Sequence, residues 1–260
     1  HYAVGALIGK GGMGQVYHAN HTQTNKMVAL KVLAEALFQE NLAPERFERE
    51  AKLAITLNHP HIVPVIEAFS HDNQLYLVMP FIDGRDLWQI YKAEGKIPLQ
   101  RMLPILRQLA NALDYLHAQA IVHRDIKPSN VMLGDDDHVW LLDFGIAKWV
   151  NDSHVLTQSS GILGTLDYTA PEQLMSSKNV DHRADIYALG VMTYQLLAGE
   201  APFSGNVGNL VFAHLNQPAP DIRLVNPEIP PQVGLALMRC MSKSADDRFD
   251  SAGDFVKALV

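Results

Sequence analysis

Short apolar and β-branched runs separated by turns occupy roughly the first 80 residues. Ala6-Leu7-Ile8, Gln15-Val16-Tyr17 and Met27-Val28-Ala29-Leu30-Lys31-Val32 read as strands, with Thr22 to Lys26 as a turn between the last two. One helix is expected from about Pro44 to Leu57, where Asn58-His59-Pro60 ends it. Further strands are expected at Ile62-Val63-Pro64-Val65 and from Gln74 to Met79. After that the period changes. Met102, Ile105, Leu106, Leu109, Leu113 and Leu116 keep the spacing of one helix face, on which Pro104 is tolerable only in a first turn. Ile186 to Leu197 is apolar nearly all round, which predicts a centrally buried helix. Helices near Gln232–Met241 and Ser251–Leu259 finish the chain. A small β-rich part followed by a larger helical part is an α+β arrangement, whose junction favours a ligand cleft.

Composition narrows the partners. The 260 residues are 48% hydrophobic and 19% charged, the balance of a globular protein. That length suits one large domain or two lobes, because single cores stop growing near ~250–300 residues. With 21 Lys+Arg against 28 Asp+Glu the net charge is −7, so there is no basic footprint for nucleic acid. Cys240 stands alone, which excludes an internal disulfide and a multi-thiolate zinc site and points to a reducing compartment. The twelve histidines contain no His-Glu-x-x-His pattern, so zinc is not expected. The most apolar stretch falls short of the ~20 residues of a membrane span, so no membrane contact is expected of this segment. No targeting peptide is visible at His1, and the missing initiator Met is read as the trimming of a longer protein.

The first chemical signal is Gly9-Lys10-Gly11-Gly12-Met13-Gly14-Gln15-Val16, between two strand-like runs. Glycines let backbone N–H groups approach a polyphosphate, and they accept the positive φ of a tight hairpin. Taken alone, such a run is as often a plain turn. A dinucleotide site would want a helix directly afterwards, and a Walker loop would want a lysine followed by Ser or Thr. Neither is present. Lys31 lies mid-strand among apolar residues, where a solvent-facing lysine is the bland alternative. On the following helix Glu50 lies along the apolar stripe of Phe47, Ala51 and Ala54. A carboxylate on a buried face is costly unless paired, and the strand lysine is the available partner.

The segment His123-Arg124-Asp125-Ile126-Lys127-Pro128-Ser129-Asn130 is followed by Asp143-Phe144-Gly145 and then Ala170-Pro171-Glu172. Together with the glycine loop, strand lysine and helix glutamate, these motifs resemble the eukaryotic-type (Hanks-type) Ser/Thr protein kinases of bacteria, in order and content. The resemblance covers essentially the whole chain. It implies a bilobal protein kinase fold, with a small β-rich N-lobe holding one key helix (about 1–79), a hinge (80–86) and a larger, mainly helical C-lobe (87–260). It implies transfer of the ATP γ-phosphate to Ser/Thr hydroxyls of proteins, with Mg²⁺, or Mn²⁺ in its place. By this resemblance Asp125 accepts the substrate hydroxyl's proton and Lys127 neutralises the γ-phosphate. Lys31 holds the α/β-phosphates while Glu50 fixes its rotamer, and Asn130 and Asp143 supply the oxygens that Mg²⁺ prefers. The nucleotide contacts would come from Ile8 through Val16 (Ile8, Gly9, Lys10, Gly11, Gly12, Met13, Gly14, Gln15, Val16), Ala29 and Lys31. Met79 resembles the gatekeeper, Pro80-Phe81-Ile82 the adenine-binding hinge and Asp86 the acidic residue near the ribose. Proline where relatives often carry Glu removes only an N–H, and the family uses the carbonyl there. His123 is expected to pack rather than act as a base.

Lys127 in its loop and Thr165, which resembles the threonine contacting Asp125 and Lys127, mark the Ser/Thr class. Glu172 should pair with Arg248, and Asp185 should hydrogen-bond the catalytic-loop backbone. A pseudokinase serving as a nucleotide-binding scaffold is the alternative; loss of Lys31, Asp125 or Asp143 would favour it, and all three are present. From Asp143 to Glu172 the chain is long for a loop, and its polar middle holds Thr157 and Ser159 at positions matching the phosphosites of related bacterial kinases. Arg124, directly before Asp125, could take a phosphate on its guanidinium fork. Expected partners are therefore protein substrates and a second copy of the kinase for trans-autophosphorylation. The expected location is the cytoplasm, with any membrane anchor outside this chain.

Overall fold

The strand-like runs pair into one antiparallel sheet. In the computed structural model, residues 1–11, 14–33, 51–72, 74–143, 166–175 and 180–260 are described. Strands β1 (Tyr2–Gly11), β2 (Gly14–His21), β3 (Met27–Leu33), β4 (Glu67–His71) and β5 (Gln74–Pro80) take the order β1-β2-β3-β5-β4. Side chains alternate between faces along each strand. One face gathers Ala19, Val28, Leu30 and Val78, with Tyr2, Phe69 and Tyr76 packed against them. The other face carries Val16, Lys31 and Leu77 in one cross-strand row and Ala29 opposite Met79 in the next. The β1–β2 hairpin closes with Gly11 opposite Gly14. At Gly14, φ is +135° and a Cβ would lie 2.0 Å from the Val32 carbonyl oxygen, so only glycine fits.

One expectation in this region is corrected. Ile62-Val63-Pro64-Val65 is not a strand: Ile62 makes an isolated bridge and the residues after it are irregular. Pro64 has no N–H for a ladder, and Ile62, Val63 and Val65 are buried as core instead. The strand there is β4, an edge strand whose residues are mostly exposed or half-buried. Of the helix expected over Pro44–Leu57, residues 51–56 are helical and Leu57 lies past the end; residues 44–50 fall outside the described set.

The described residues divide into two compact units, those up to 83 and those from 84 to 143, 166 to 175 and 180 to 260. The second unit holds a small antiparallel sheet of β6 (Arg85–Asp86), β7 (Val131–Leu133) and β8 (Val139–Leu141). Its helices are α1 (Leu87–Glu94), α2 (Leu99–Ala118), α3 (Pro171–Met175), α4 (Arg183–Ala198), α5 (Val207–Asn216), α6 (Pro231–Cys240) and α7 (Ala252–Lys257). None of the helices among the described residues is long and apolar enough to cross a membrane.

Helix α4 is the centre of this unit, as its composition predicts: every residue from Ala184 to Leu197 is buried. Helix α6 packs on it so closely that a Cβ at Gly190 would sit 2.6 Å from the Cys240 Cβ. Helix α2 buries Met102, Ile105, Leu106, Leu109, Leu113 and Leu116, the face read from their spacing. It starts at Leu99, however, so Pro104 stands in the second turn and not the first. The missing N–H leaves the Gln100 carbonyl without its i+4 donor, and the exposed Pro104 ring lies on the solvated side. Asp114 on α2 accepts from the Ala252 and Gly253 N–H groups (2.9 and 3.0 Å) at the start of α7, while Ser251 caps the same end.

The expected ion pair is present. Arg248, 2% exposed, donates to both oxygens of Glu172 at 2.7 and 2.8 Å. Its remaining N–H groups reach the carbonyls of Ser242, Arg183 and Lys243. All five guanidinium donors are therefore satisfied, which is the condition for burying this charge. Arg248→Leu strands the Glu172 carboxylate and three carbonyls; it should cost on the order of 3–5 kcal/mol in urea denaturation. Glu172→Gln, which keeps one acceptor, should cost less than Arg248→Leu in the same measurement.

Candidate active site

The β7–β8 hairpin brings two distant stretches of sequence side by side. Val131 pairs with Leu141, and the Leu142 N–H donates to the Asn130 carbonyl at 2.8 Å, so Asn130 and Asp143 flank one hydrogen bond. Asn130 itself turns back: its Nδ2 donates to the Asp125 carbonyl (2.7 Å) and to Asp125 Oδ2 (3.0 Å). The Lys127 Nζ lies 2.9 Å from the same Oδ2. Two donors on one oxygen fix the rotation of the Asp125 carboxylate, whose side chain is 4% exposed. Asp125, Lys127, Asn130 and Asp143, singled out on the sequence, thus occupy one neighbourhood.

His123 is fully buried and both ring nitrogens serve the backbone. Nε2 faces the Leu142 carbonyl at 2.9 Å and so carries the proton; Nδ1 accepts the Asp125 N–H at 3.3 Å. Burial depresses its pKa, against the opposing pull of Asp185 and the Leu142 carbonyl. It packs and orients the loop and is not placed to act as a base.

The backbone here is strained. Arg124 has φ +63° and Asp143 has φ +53°, the left-handed region that a non-glycine residue enters only when its surroundings impose it. For Arg124 the imposing groups are visible. Asp185, buried in the first turn of α4, accepts the His123 N–H at 2.8 Å and the Arg124 N–H at 2.7 Å. On the other side, Gln173 Nε2 donates to the Arg124 carbonyl at 3.2 Å. The expectation for Asp185 holds. His117 and Gln173 were not anticipated: His117 Nε2 donates to Asp185 Oδ2 at 2.8 Å. One signal could have found it, since His117 follows Leu113 by four residues and interrupts the apolar stripe of α2.

Asp86 caps α1. Its side chain accepts the Gln89 N–H at 2.8 Å, while Gln89 Oε1 accepts the Asp86 N–H in return. Burial raises the Asp86 pKa, opposed by the backbone donors Gln89 and Trp88.

In the first unit, the glycine hairpin is followed by a strand and not a helix, with Gly9, Lys10 and Gly11 opposite Val16, Gln15 and Gly14. Ile8 precedes them on β1 and is exposed. Lys31 is 5% exposed, so the solvent-facing reading of it is excluded. Met79 and Pro80 are the last residues of β5, opposite Ala29 and Val28, so regular structure runs into the segment expected as hinge. Ile82 follows in irregular chain. Gly12, Met13, Glu50, Phe144, Gly145, Thr157, Ser159 and Thr165 lie outside the described residues.

Residues 2–255 match the family model described as the protein kinase domain. The chain belongs to the protein kinase family. The kinase domain is 39% identical over 257 residues to the serine/threonine-protein kinase PknE of Mycobacterium tuberculosis, covering 99% of this chain and 45% of PknE. It is likewise 39% identical over 258 residues to PknH of Mycobacterium bovis, covering 99% of this chain and 43% of that protein. The chain therefore spans less than half the length of these relatives. The crystal structure of the Mycobacterium tuberculosis PknI kinase domain superposes with a TM-score of 0.78 at 32% identity, covering 99% of this chain and 94% of that one. The α+β expectation and the protein kinase fold are thus borne out, and nothing found supports the pseudokinase alternative.

Asp185→Asn tests the strained loop of the kinase domain. The amide keeps one acceptor and turns an N–H₂ toward a backbone donor or His117. We expect phosphoryl transfer to fall at least tenfold with KM for ATP little changed, and stability to drop by about 1–3 kcal/mol. Steady-state kinetics beside a urea melt separate the two effects.

Proposed function

We propose that this domain transfers the γ-phosphoryl group of ATP to serine and threonine hydroxyls of proteins. The observation that carries the reading is the carboxylate of Asp125 held on one oxygen by Lys127 Nζ and Asn130 Nδ2. Phosphoryl transfer asks the protein chiefly for positioning and charge neutralisation. A carboxylate locked in rotation is suited to accept the proton of an incoming hydroxyl, and Lys127 beside it to meet the γ-phosphate. The residues fit a hard divalent cation: Asn130 spends its amide N–H₂ on Asp125, which leaves Oδ1 as an oxygen donor, and Asp143 adds a carboxylate one hydrogen bond away. Asn130 and Asp143 would hold Mg²⁺ there, whose chemistry would be the neutralisation of phosphate charge.

Lys31 is assigned to the α/β-phosphates and Glu50 to its orientation. The backbone N–H groups of the glycine hairpin (Gly9 to Gly14) suit the phosphates. Ala29, Met79, Pro80 and Ile82 suit the adenine, and Asp86 the ribose. Residues 1–79, 80–86 and 87–260 would then act as N-lobe, hinge and C-lobe. The Ser/Thr preference rests on Lys127 within Asp125-Ile126-Lys127-Pro128-Ser129-Asn130 and on Thr165. A cytoplasmic site of action goes with the single buried thiol Cys240.

Asp125→Asn should leave the fold intact and lower transfer by ~10²–10⁴-fold, the usual contribution of a general base. A variant retaining more than about a tenth of wild-type turnover, measured with a peptide substrate and matched by circular dichroism, would remove Asp125 from this role.

The same reading extends to activation. Thr157 and Ser159 are the proposed autophosphorylation sites, modified by a second copy of the kinase and read by the guanidinium of Arg124. Incubation with Mg-ATP followed by mass spectrometry should find phosphate on one or both. Thr157→Ala with Ser159→Ala should lower the rate on other proteins; active enzyme with neither Thr157 nor Ser159 modified would sink the assignment.

A further inference from the structure

Gln173 occupies a position where glutamate would cap a helix better. Helix α3 begins at Pro171, which has no N–H to satisfy, and the Gln173 N–H donates back to the Ala170 carbonyl at 3.0 Å. Ala170 therefore sits in the capping position. Three residues on, Gln173 turns its Oε1 to the Ala170 N–H at 3.1 Å. That is one half of a capping box, since alanine has no side chain with which to make the other half. For this task alone a carboxylate is the better acceptor, because it makes the same bond as an anion at a helix end that favours negative charge.

The other end of the side chain explains the amide. Gln173 Nε2 donates to the Arg124 carbonyl at 3.2 Å, a bond that an ionised carboxylate cannot make. That carbonyl belongs to the peptide group joining Arg124 to Asp125. The N–H of the same group donates to His123 Nδ1 at 3.3 Å. The peptide plane is thus held at both edges, its oxygen by Gln173 and its hydrogen by His123, beside an Arg124 kept at φ +63°. A planar group pinned at two edges resists rotation, and rotation there would swing the Cα–Cβ bond of Asp125. Lys127 and Asn130 fix the far end of that side chain, so Gln173 acts on the one end they leave open. We propose that Gln173 is a positioning residue for phosphoryl transfer, setting the direction of Asp125 through the Arg124–Asp125 peptide. The proposal rests on the reading of Asp125 as acceptor of the hydroxyl proton. It gives the segment entering α3 a short route to the reacting group, from the Ala170 N–H through one amide side chain to one peptide plane.

Gln173→Glu separates the two ends of the side chain. It keeps the acceptor for the Ala170 N–H and sets a second oxygen against the Arg124 carbonyl. Single-turnover transfer from Mg-ATP to a serine peptide should fall at least tenfold, the scale on which a misplaced reacting group acts, with KM for ATP within about twofold of wild type. The urea midpoint should not fall, because the cap is retained. The Asp125 amide ¹⁵N resonance should move, because the oxygen of its peptide has lost a donor. Gln173→Met loses both bonds without adding charge; it should be as slow, and it carries the test if the glutamate variant folds poorly. Transfer within about twofold of wild type in the folded variants would overturn the positioning role. Asp125→Asn in the same assay separates the two readings. An inactive Asp125→Asn beside a fully active Gln173→Glu overturns the role of Gln173 alone, whereas Asp125→Asn as fast as wild type overturns the reading of Asp125 and the positioning role with it.

Discussion

The catalytic loop depends on one buried carboxylate. Asp185 is 1% exposed on a helix with no solvated face, and it accepts three hydrogen bonds, from His117 Nε2 and from the His123 and Arg124 N–H groups. Removing a carboxylate from water costs several kcal/mol, which only charge-assisted bonds of good geometry can offset. Its place in the first turn of α4 helps, because the helix dipole favours negative charge there. The bonds hold Arg124 at φ +63°, a conformation it would not keep unaided. Asp125 is the next residue, so the direction of its carboxylate inherits that strain.

The same turn of α4 carries a second reference point. Arg248 donates to the Arg183 carbonyl and to both oxygens of Glu172 on α3. One residue further along α3, Gln173 donates to the Arg124 carbonyl. The catalytic loop and α3 are thus tied to each other and, separately, to the start of α4. Asp185 and Arg248 are the two most deeply buried charges among the described residues of the unit, and they sit where sequence-distant segments have to keep register. Apolar packing would bury as much surface but would not fix a peptide plane. Helix α4, buried from Ala184 to Leu197, gives both anchors a closely packed support.

Much of this was legible in the sequence because the motifs are local. Asp125, Lys127 and Asn130 lie within six residues, and the short hairpin after them returns Asp143. The all-apolar run of α4 and the stripe of α2 declared their burial directly. Other features could not be read because they are pairings. An exposed edge strand such as β4 has no apolar alternation to reveal it, whereas the largely buried Ile62–Val65, bridged only at Ile62, mimics a strand. Pro104 misled because a helix tolerates a proline whose ring meets solvent. For Lys31 the sequence left a solvent-facing alternative beside the favoured one, because it does not say which sheet face is covered. His117 has no motif at all; only the fold brings α2 against the start of α4.

Asn130 explains why an amide is required where either side of the chemistry would by itself accept another residue. A carboxylate here would be the stronger ligand for a divalent cation. It would also stand about 3 Å from Asp125 Oδ2, where two like charges drive one another toward protonation, and a protonated Asp125 accepts no proton from a hydroxyl. A leucine of similar size would take the Asn130 donor from the Asp125 carbonyl and leave Lys127 to hold the carboxylate oxygen that the two now share. The amide divides its two ends. Nδ2 donates to Asp125 twice, fixing the loop's geometry and favouring the ionised carboxylate, and Oδ1 stays an oxygen ligand without adding charge. Under the proposed roles, the side chain that orders Asp125 is also the one suited to hold the cation, and both tasks would be served in a single rotamer.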